Sequence, residues 1–264
     1  MGDAVAKVRD LALAYVNDPM LTMAAGENIL VSRIAGTVNK FGENLSIASN
    51  TTEDIWDGGG TYSFPSTVDI THIREATDQA PDRGATIQVQ GLDTNWDLIV
   101  QDVVLDASNS STPVALSTPL RRAFRMKVNF DVEMSDDIEL RNVGGTTTYS
   151  IIQAGNNQTL MAIYTVPNGV TAYMTGWYID YVKSIANDPD SVEYKLLAAD
   201  RENDYAFQLK YEKAIPQGGT LNVHPFAPYY KFTEKTDIKV TAEPSAKAAH
   251  VHGGFDLILV TNEA

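Results

Sequence analysis

His250 and His252 stand two apart in a run that reads as a strand, so both imidazoles project from one face, a spacing that metal ligands use. A tetrahedral ion needs two more donors. With no cysteine in the chain these must be nitrogen or oxygen, and His224 and Asp256 are candidates that the sequence cannot place. Histidines at a surface or a subunit contact are the simpler reading, and at a contact they would make assembly pH-sensitive. Asn187-Asp-Pro-Asp190 with Glu193 gathers oxygens as a calcium loop does, but Pro189 and the missing central glycine break the EF-hand pattern. Carboxylate pairs such as Asp136 with Asp137, or Asp93 with Asp97, are of the kind that glycoside hydrolysis requires, yet any acidic chain of this size offers many. No Gly-x-Ser-x-Gly supplies a nucleophile elbow. Gly58-Gly59-Gly60 is followed by neither Lys-Ser/Thr nor a helical pattern, which argues against a phosphate loop. The expectation is a chain with no enzymatic activity, no cofactor and no metal.

Pro225-Phe-Ala-Pro-Tyr-Tyr230 reads as a proline-stiffened loop that presents rings. Phe226, Tyr229 and Tyr230 are therefore candidate contacts to a glycan, a partner's pocket or a sister subunit, with packing between domains as the plainer alternative. The formal charge of -14 over 264 residues repels phosphates, so no nucleic-acid partner is expected; Arg121, Arg122, Arg125 and Lys127 more simply balance nearby acids. No apolar run approaches a membrane span, and Asp3, Lys7, Arg9 and Asp10 interrupt the N-terminal apolar positions, so neither a membrane partner nor an export signal is expected.

These residues must be positioned by strands. Alternating segments separated by turn signals run from Val68–Ile73 through Ala85–Gln90, Trp96–Leu105, Ala123–Val128 and Ile138–Arg141. They continue through Gln158–Val166, Val170–Tyr181, Val192–Ala198, Tyr205–Tyr211, Leu221–Val223, Phe232, Ile238–Ala242 and Phe255–Val260. Pro167-Asn-Gly169 predicts a hairpin. Around Gly58–Gly60, Trp56 is expected to be buried beside the turn, with Tyr62 and Phe64 on one face of a strand ending at Pro65. Residues 3–16 place Val5, Val8, Ala12 and Tyr15, with Leu11 beside them, on one helical stripe that Asn17-Asp18-Pro19 would end. A short helix needs cover, from its own body or from a neighbour. The predicted fold is mainly β: an N-terminal helical arm (1–28) followed by two antiparallel, jelly-roll-like β-sandwiches (29–145 and 146–264), with the seam between Gly144 and Gly155.

Thr51 to Phe64, Gln158 to Tyr178 (QTLMAIYTVPNGVTAYMTGWY) and Gly254 to Val260 resemble, in order, segments of a widespread family of virion structural proteins of tailed bacteriophages. The resemblance runs loosely from about residue 30 to 260 and leaves residues 1–28 uncovered. It implies a non-enzymatic β building block of the virion, on the capsid surface: a decoration or cement protein bound to the major capsid protein and self-associated, with a trimer favoured. The alternatives are a head fibre, vertex or tail component, or a carbohydrate-binding receptor module. Val5, Val8, Leu11, Tyr15, Phe226, Tyr229 and Tyr230 are the expected capsid or subunit contacts.

Overall fold

In Ser191–Asp200 the residues Val192, Tyr194, Leu196 and Ala198 are buried while Glu193, Lys195 and Leu197 are half-exposed, the period of two that a pleated strand imposes. The same rule builds most of the chain. The computed structural model describes residues 16–129, 133–182 and 189–263, whose strands pair antiparallel in four sheets. One sheet has the order β1 (Ile34–Ile47), β16 (Ala249–Thr261), β11 (Val170–Tyr181), β14 (Asn222–Phe232). Facing it are β10 (Ile163–Thr165), β15 (Thr236–Pro244), β12 (Ser191–Asp200) and β13 (Gln208–Pro216), with β2 (Glu53–Asp54) beside β15. Trp177, Tyr194, Val240 and Phe255 lie in the core between them. A second, smaller sandwich packs β6 (Val114–Leu120), β3 (Ile70–Glu75), β8 (Ile138–Arg141) and β9 (Thr148–Ile152) with β5 (Leu98–Val104), β4 (Thr86–Leu92) and β7 (Arg122–Val128), around Ile70, Ile87, Leu120 and Ile138.

Two sandwiches are thus present, but hydrogen bonding does not part at the expected seam. β1 and β2 pair with β16 and β15, more than 180 residues away in sequence (Asp54 to Thr241), and β9 completes the sheet of β8. The smaller sandwich is therefore inserted between β2 and β10. Local composition carries no trace of such a pairing, because β1 alternates like any other half-buried strand.

The turn at Pro167-Asn168-Gly169 forms, with Gly169 at φ 69°. It does not make a hairpin. β10 pairs with β15 and β11 pairs with β14 and β16, so the chain changes sheets at this corner. Three further expectations are corrected. β6 was not anticipated as a strand, and of β14 only the ends at Leu221–Val223 and Phe232 were, because Pro119, Pro225 and Pro228 interrupt them; both are edge strands, where a missing N–H donor costs no ladder bond. Thr61–Pro65 is extended but pairs in no sheet. Asn17-Asp18-Pro19 opens a helix: Asp18 Oδ1 accepts from the amides of Met20 and Leu21 and caps α1 (Pro19–Ala25), with proline at the first position. Leu21 and Ile29 then pack against Tyr173 and Val260, which ties residues 16–29 to the body. The helix expected over 3–16 lies outside the described residues apart from Val16.

Trp56 is 6% exposed, in a cluster with Tyr62, Met161 and Ile163. Its ring lies against Gly58, where any Cβ would collide with it, and Gly59 and Gly60 carry positive φ to close the loop. The Glu53 carboxylate accepts from Gly60 N at 2.7 Å, and Tyr62 N donates to Asp54 Oδ2 at 2.7 Å. Tyr62, Phe64 and Phe207 continue the ring contacts from Trp56 toward the junction of the sandwiches.

At that junction Arg122 of β7 meets Asp237 of β15. Two parallel bonds join them, Nε to Oδ1 at 2.8 Å and an Nη to Oδ2 at 3.0 Å, with Asp237 fully buried. Arg201 and Thr165 complete the carboxylate's shell at 2.6 Å each. Arg122 also donates to Pro65 O and lies over Phe64 and Trp96.

Two stability predictions follow from this packing. Trp56→Ala removes a filled ring site and should cost about 3–5 kcal/mol, read from the urea midpoint. Asp237→Ala strands a buried guanidinium and should cost roughly 3–5 kcal/mol by the same measurement, whereas an unchanged midpoint would show that the junction is not held here.

Candidate contact surface

Both β13 and β14 are last in their sheets, and they meet on one side of the larger sandwich. Tyr211 of β13 stacks on His224 of β14 with ring centroids 4.3 Å apart. From there the contacts run His224 to Phe226, Phe226 to Tyr230 and Tyr230 to Phe232, while Tyr211 reaches inward to Trp177. The row exists because β14 alternates: each second side chain turns into the gap between the two sheets. A groove of about 220 Å³ opens beside it, lined by Tyr205, Gln208, Lys210, Tyr230, Lys231 and Phe232.

At the rim outside this row four large apolar side chains are exposed, among polar ones. Tyr205 (53% exposed), Leu209 (51%), Leu221 (57%) and Val223 (62%) all face solvent on the segments that bound it. Lys210, Lys213 and Lys231 are interspersed, and Pro216, Pro225 and Pro228 remove backbone donors. Lysine and proline blunt an edge against strand addition. The edge thus disfavours backbone pairing while exposing apolar side chains with lysines among them.

The expected contact residues divide. Phe226 and Tyr230 belong to the row, half-buried against the main core, so they form the floor of the rim and do not protrude from a loop. Tyr229 turns the other way, packs with α1 and donates its hydroxyl to Asp18 Oδ2 at 3.0 Å. Val5, Val8, Leu11 and Tyr15 lie outside the described residues. Leu209, Leu221 and Val223 were missed, since exposure of an apolar residue at an edge has no sequence signal. The carboxylate pairs are occupied with backbone amides: Asp136 accepts from Thr77 N and Asp137 N, Asp137 from Ala154 N, and Asp93 from Asn95 N and Asp97 N. Ser110 is buried and donates to Glu75. Arg125 donates to Asn39 O. Asn187 and Asp188 lie outside the described residues. His250 and His252 share a face as expected and converge on Glu43.

No protein-family model and no curated protein matches the chain. Among solved structures it is compared with VP17, a capsid protein of bacteriophage P23-77, at 6% identity and TM-score 0.21, over 86% of this chain and 97% of that one. Infectious bursal disease virus, Gt strain, gives 10% identity and TM-score 0.23 over 92% and 78% of the two chains, and the VP2 subviral particle of that virus gives 8% and 0.18 over 94% and 83%. Scores this low fall short of a shared fold. Among the described residues no helix is long and apolar enough to cross a membrane.

Burial sets the titration of the interior carboxyls. Burial pushes Asp57 up to about 8, against the bond it accepts from Leu160 N. Glu75 rises to about 7, first through burial and then through Asp82, and Asp54 is raised by burial despite Lys239. A carboxyl raised on folding holds its proton more tightly in the native state, so the stability it contributes is full below the ordinary carboxylate range and is lost as pH climbs through the raised value. Asp78 and Asp136 are lowered, chiefly by Arg83 and Thr77, and lose their contribution only on acidification below that range. Lys40, held low by burial and then by Arg125, shares the sign of Asp78 and Asp136: the unfolded chain binds its proton more readily, so stability rises with pH across its window. A comparison with Asp57→Asn isolates one carboxyl from these. The melting temperature of the variant relative to wild type should rise steadily between about pH 5 and pH 8, and a constant difference would show that Asp57 stays ionised throughout.

Proposed function

We propose that this chain is a non-enzymatic virion structural protein, a capsid decoration or cement subunit that attaches through the rim formed by β13 and β14. The observation that carries the reading is that rim: two edge strands side by side, an aromatic row as floor, and Tyr205, Leu209, Leu221 and Val223 each more than half exposed. Exposed apolar side chains at the open edge of a sandwich are the kind of surface from which subunit contacts are made. The resemblance of three ordered segments to tailed-phage virion proteins supplies the setting, and the charge of -14 disfavours a nucleic-acid partner. The partners are the major capsid protein and other copies of this chain, with the trimer as the favoured state, and the place is the outer capsid. Many weak contacts repeated by symmetry clamp a shell without any one being strong. Residues 1–15 are a second attachment element, an arm joined to the body through Asp18 and α1.

The test pairs two variants. Leu209→Asp with Val223→Asp alters only exposed positions and should leave the melting temperature unchanged while reducing oligomer formation in sedimentation, and occupancy on purified capsids, by at least about tenfold. Deleting residues 1–15, which spares α1, should weaken capture further in the rim variant. Full occupancy and unchanged sedimentation in the doubly altered protein would remove the rim from the proposal.

A further inference from the structure

On the outer face of the β1-β16-β11 sheet, far in sequence from one another, three donor side chains converge. His250 and His252 project from alternate positions of β16, and Glu43 is the register partner of His252 on β1. Glu43 Oε2 lies 3.0 Å from His250 Nε2 and 3.4 Å from His252 Nε2, and the ligand atoms of all three residues fall within 4.8 Å of one another. Metal bonds of about 2.0–2.1 Å in a tetrahedron demand ligand separations of about 3.3 Å, close to both measured distances. The imidazole rings meet edge to face, centroids 4.7 Å apart, so their Nε2 atoms point to one region without stacking against each other.

We propose that Glu43, His250 and His252 form a binding site for a zinc-class divalent cation, with one carboxylate oxygen, two imidazole nitrogens and an open fourth position. The donor set selects the class: imidazole with carboxylate suits zinc and its neighbours, and hard oxygen-seeking calcium or magnesium would find too few oxygens. Neutral histidines bind by shifting the proton from Nε2 to Nδ1 and giving the Nε2 lone pair to the ion. The carboxylate supplies one negative charge, and Asp180, opposite His252 on β11, adds a second on the same row. The histidines stand on β16, an inner strand of the sheet, and Glu43 on β1, the edge strand paired to it, and this register fixes their separation. Partial exposure, with side chains 17% (Glu43), 29% (His250) and 40% (His252) accessible, gives an ion a path in and leaves the fourth position to water. His252 and Glu43 also border an apolar groove of about 300 Å³ with Phe41, Leu160 and Tyr178, so that position opens beside a surface a partner can occupy.

Isothermal titration of the untagged full chain with zinc chloride tests this. One saturable site per chain is expected, weakened at least about tenfold by His252→Gln and by Glu43→Gln, and unaffected when His72 and His224 are both changed to alanine. Titration of wild type with cobalt chloride should give the visible absorption of a tetrahedral ion, removed by added zinc, a readout that needs no variant to fold. Absence of saturable one-to-one binding in wild type would overturn the proposal. So would unaltered affinity in a folded protein carrying both His250→Ala and His252→Ala.

Discussion

The buried pair of Arg122 and Asp237 is the constraint on which the relation of the two sandwiches rests. Asp237 has no access to water, and a carboxylate in that position must be met by charge and by hydrogen bonds or it cannot stay ionised. Its oxygens accept from Arg122, Arg201 and Thr165, so both are satisfied by side chains that come from three other strands or turns. The guanidinium fork admits one planar arrangement, unlike an ammonium, and Arg122 lies over the rings of Phe64 and Trp96 while donating to Pro65 O. Such a pair contributes less to stability than its Coulomb attraction suggests, since two charges were desolvated to make it. Its larger effect is orientational: the smaller sandwich docks where the fork closes.

That docking decides what is left open. With the insertion seated against β10 and β15, the opposite end of both sheets of the larger sandwich finishes in β13 and β14, where α1 packs on β14 at Tyr229 and Leu209, Leu221 and Val223 stay exposed. Core aromatics extend to that end as a row from Trp177 to Phe232, so the hydrophobic interior comes to the surface there. Lysine and proline along the two strands keep the backbone from recruiting stray strands. The same sheet carries the histidine pair and Glu43 on its outer face, where β1, closed against β16, supplies the carboxylate.

Reading the chain alone succeeds where the physics is local. Alternation of buried and half-buried residues marks β12 and β4, the glycine triplet marks the loop under Trp56, and the spacing of His250 and His252 marks a shared face; each depends on residues within a few positions of one another. It fails at the edges. Pro119, Pro225 and Pro228 read as breaks because proline interrupts a strand with neighbours on both sides, and only the sheet order shows that β6 and β14 have a neighbour on one. It fails also wherever distant segments meet. Pro167-Asn168-Gly169 specifies a turn but not which sheet receives each arm. Asp237 looks like any strand-end acid until Arg122 arrives from 115 residues away. Glu43 gains meaning only from His250, 207 residues on. The sequence by itself determined a mainly β, acidic, cysteine-free chain with its strands and turns in order, because short-range sterics and alternation are written residue by residue. The inserted topology, the open rim and the convergence of Glu43 with the histidines were decided by tertiary structure, because long-range antiparallel pairing is selected by the fit of whole buried faces, which no local window contains.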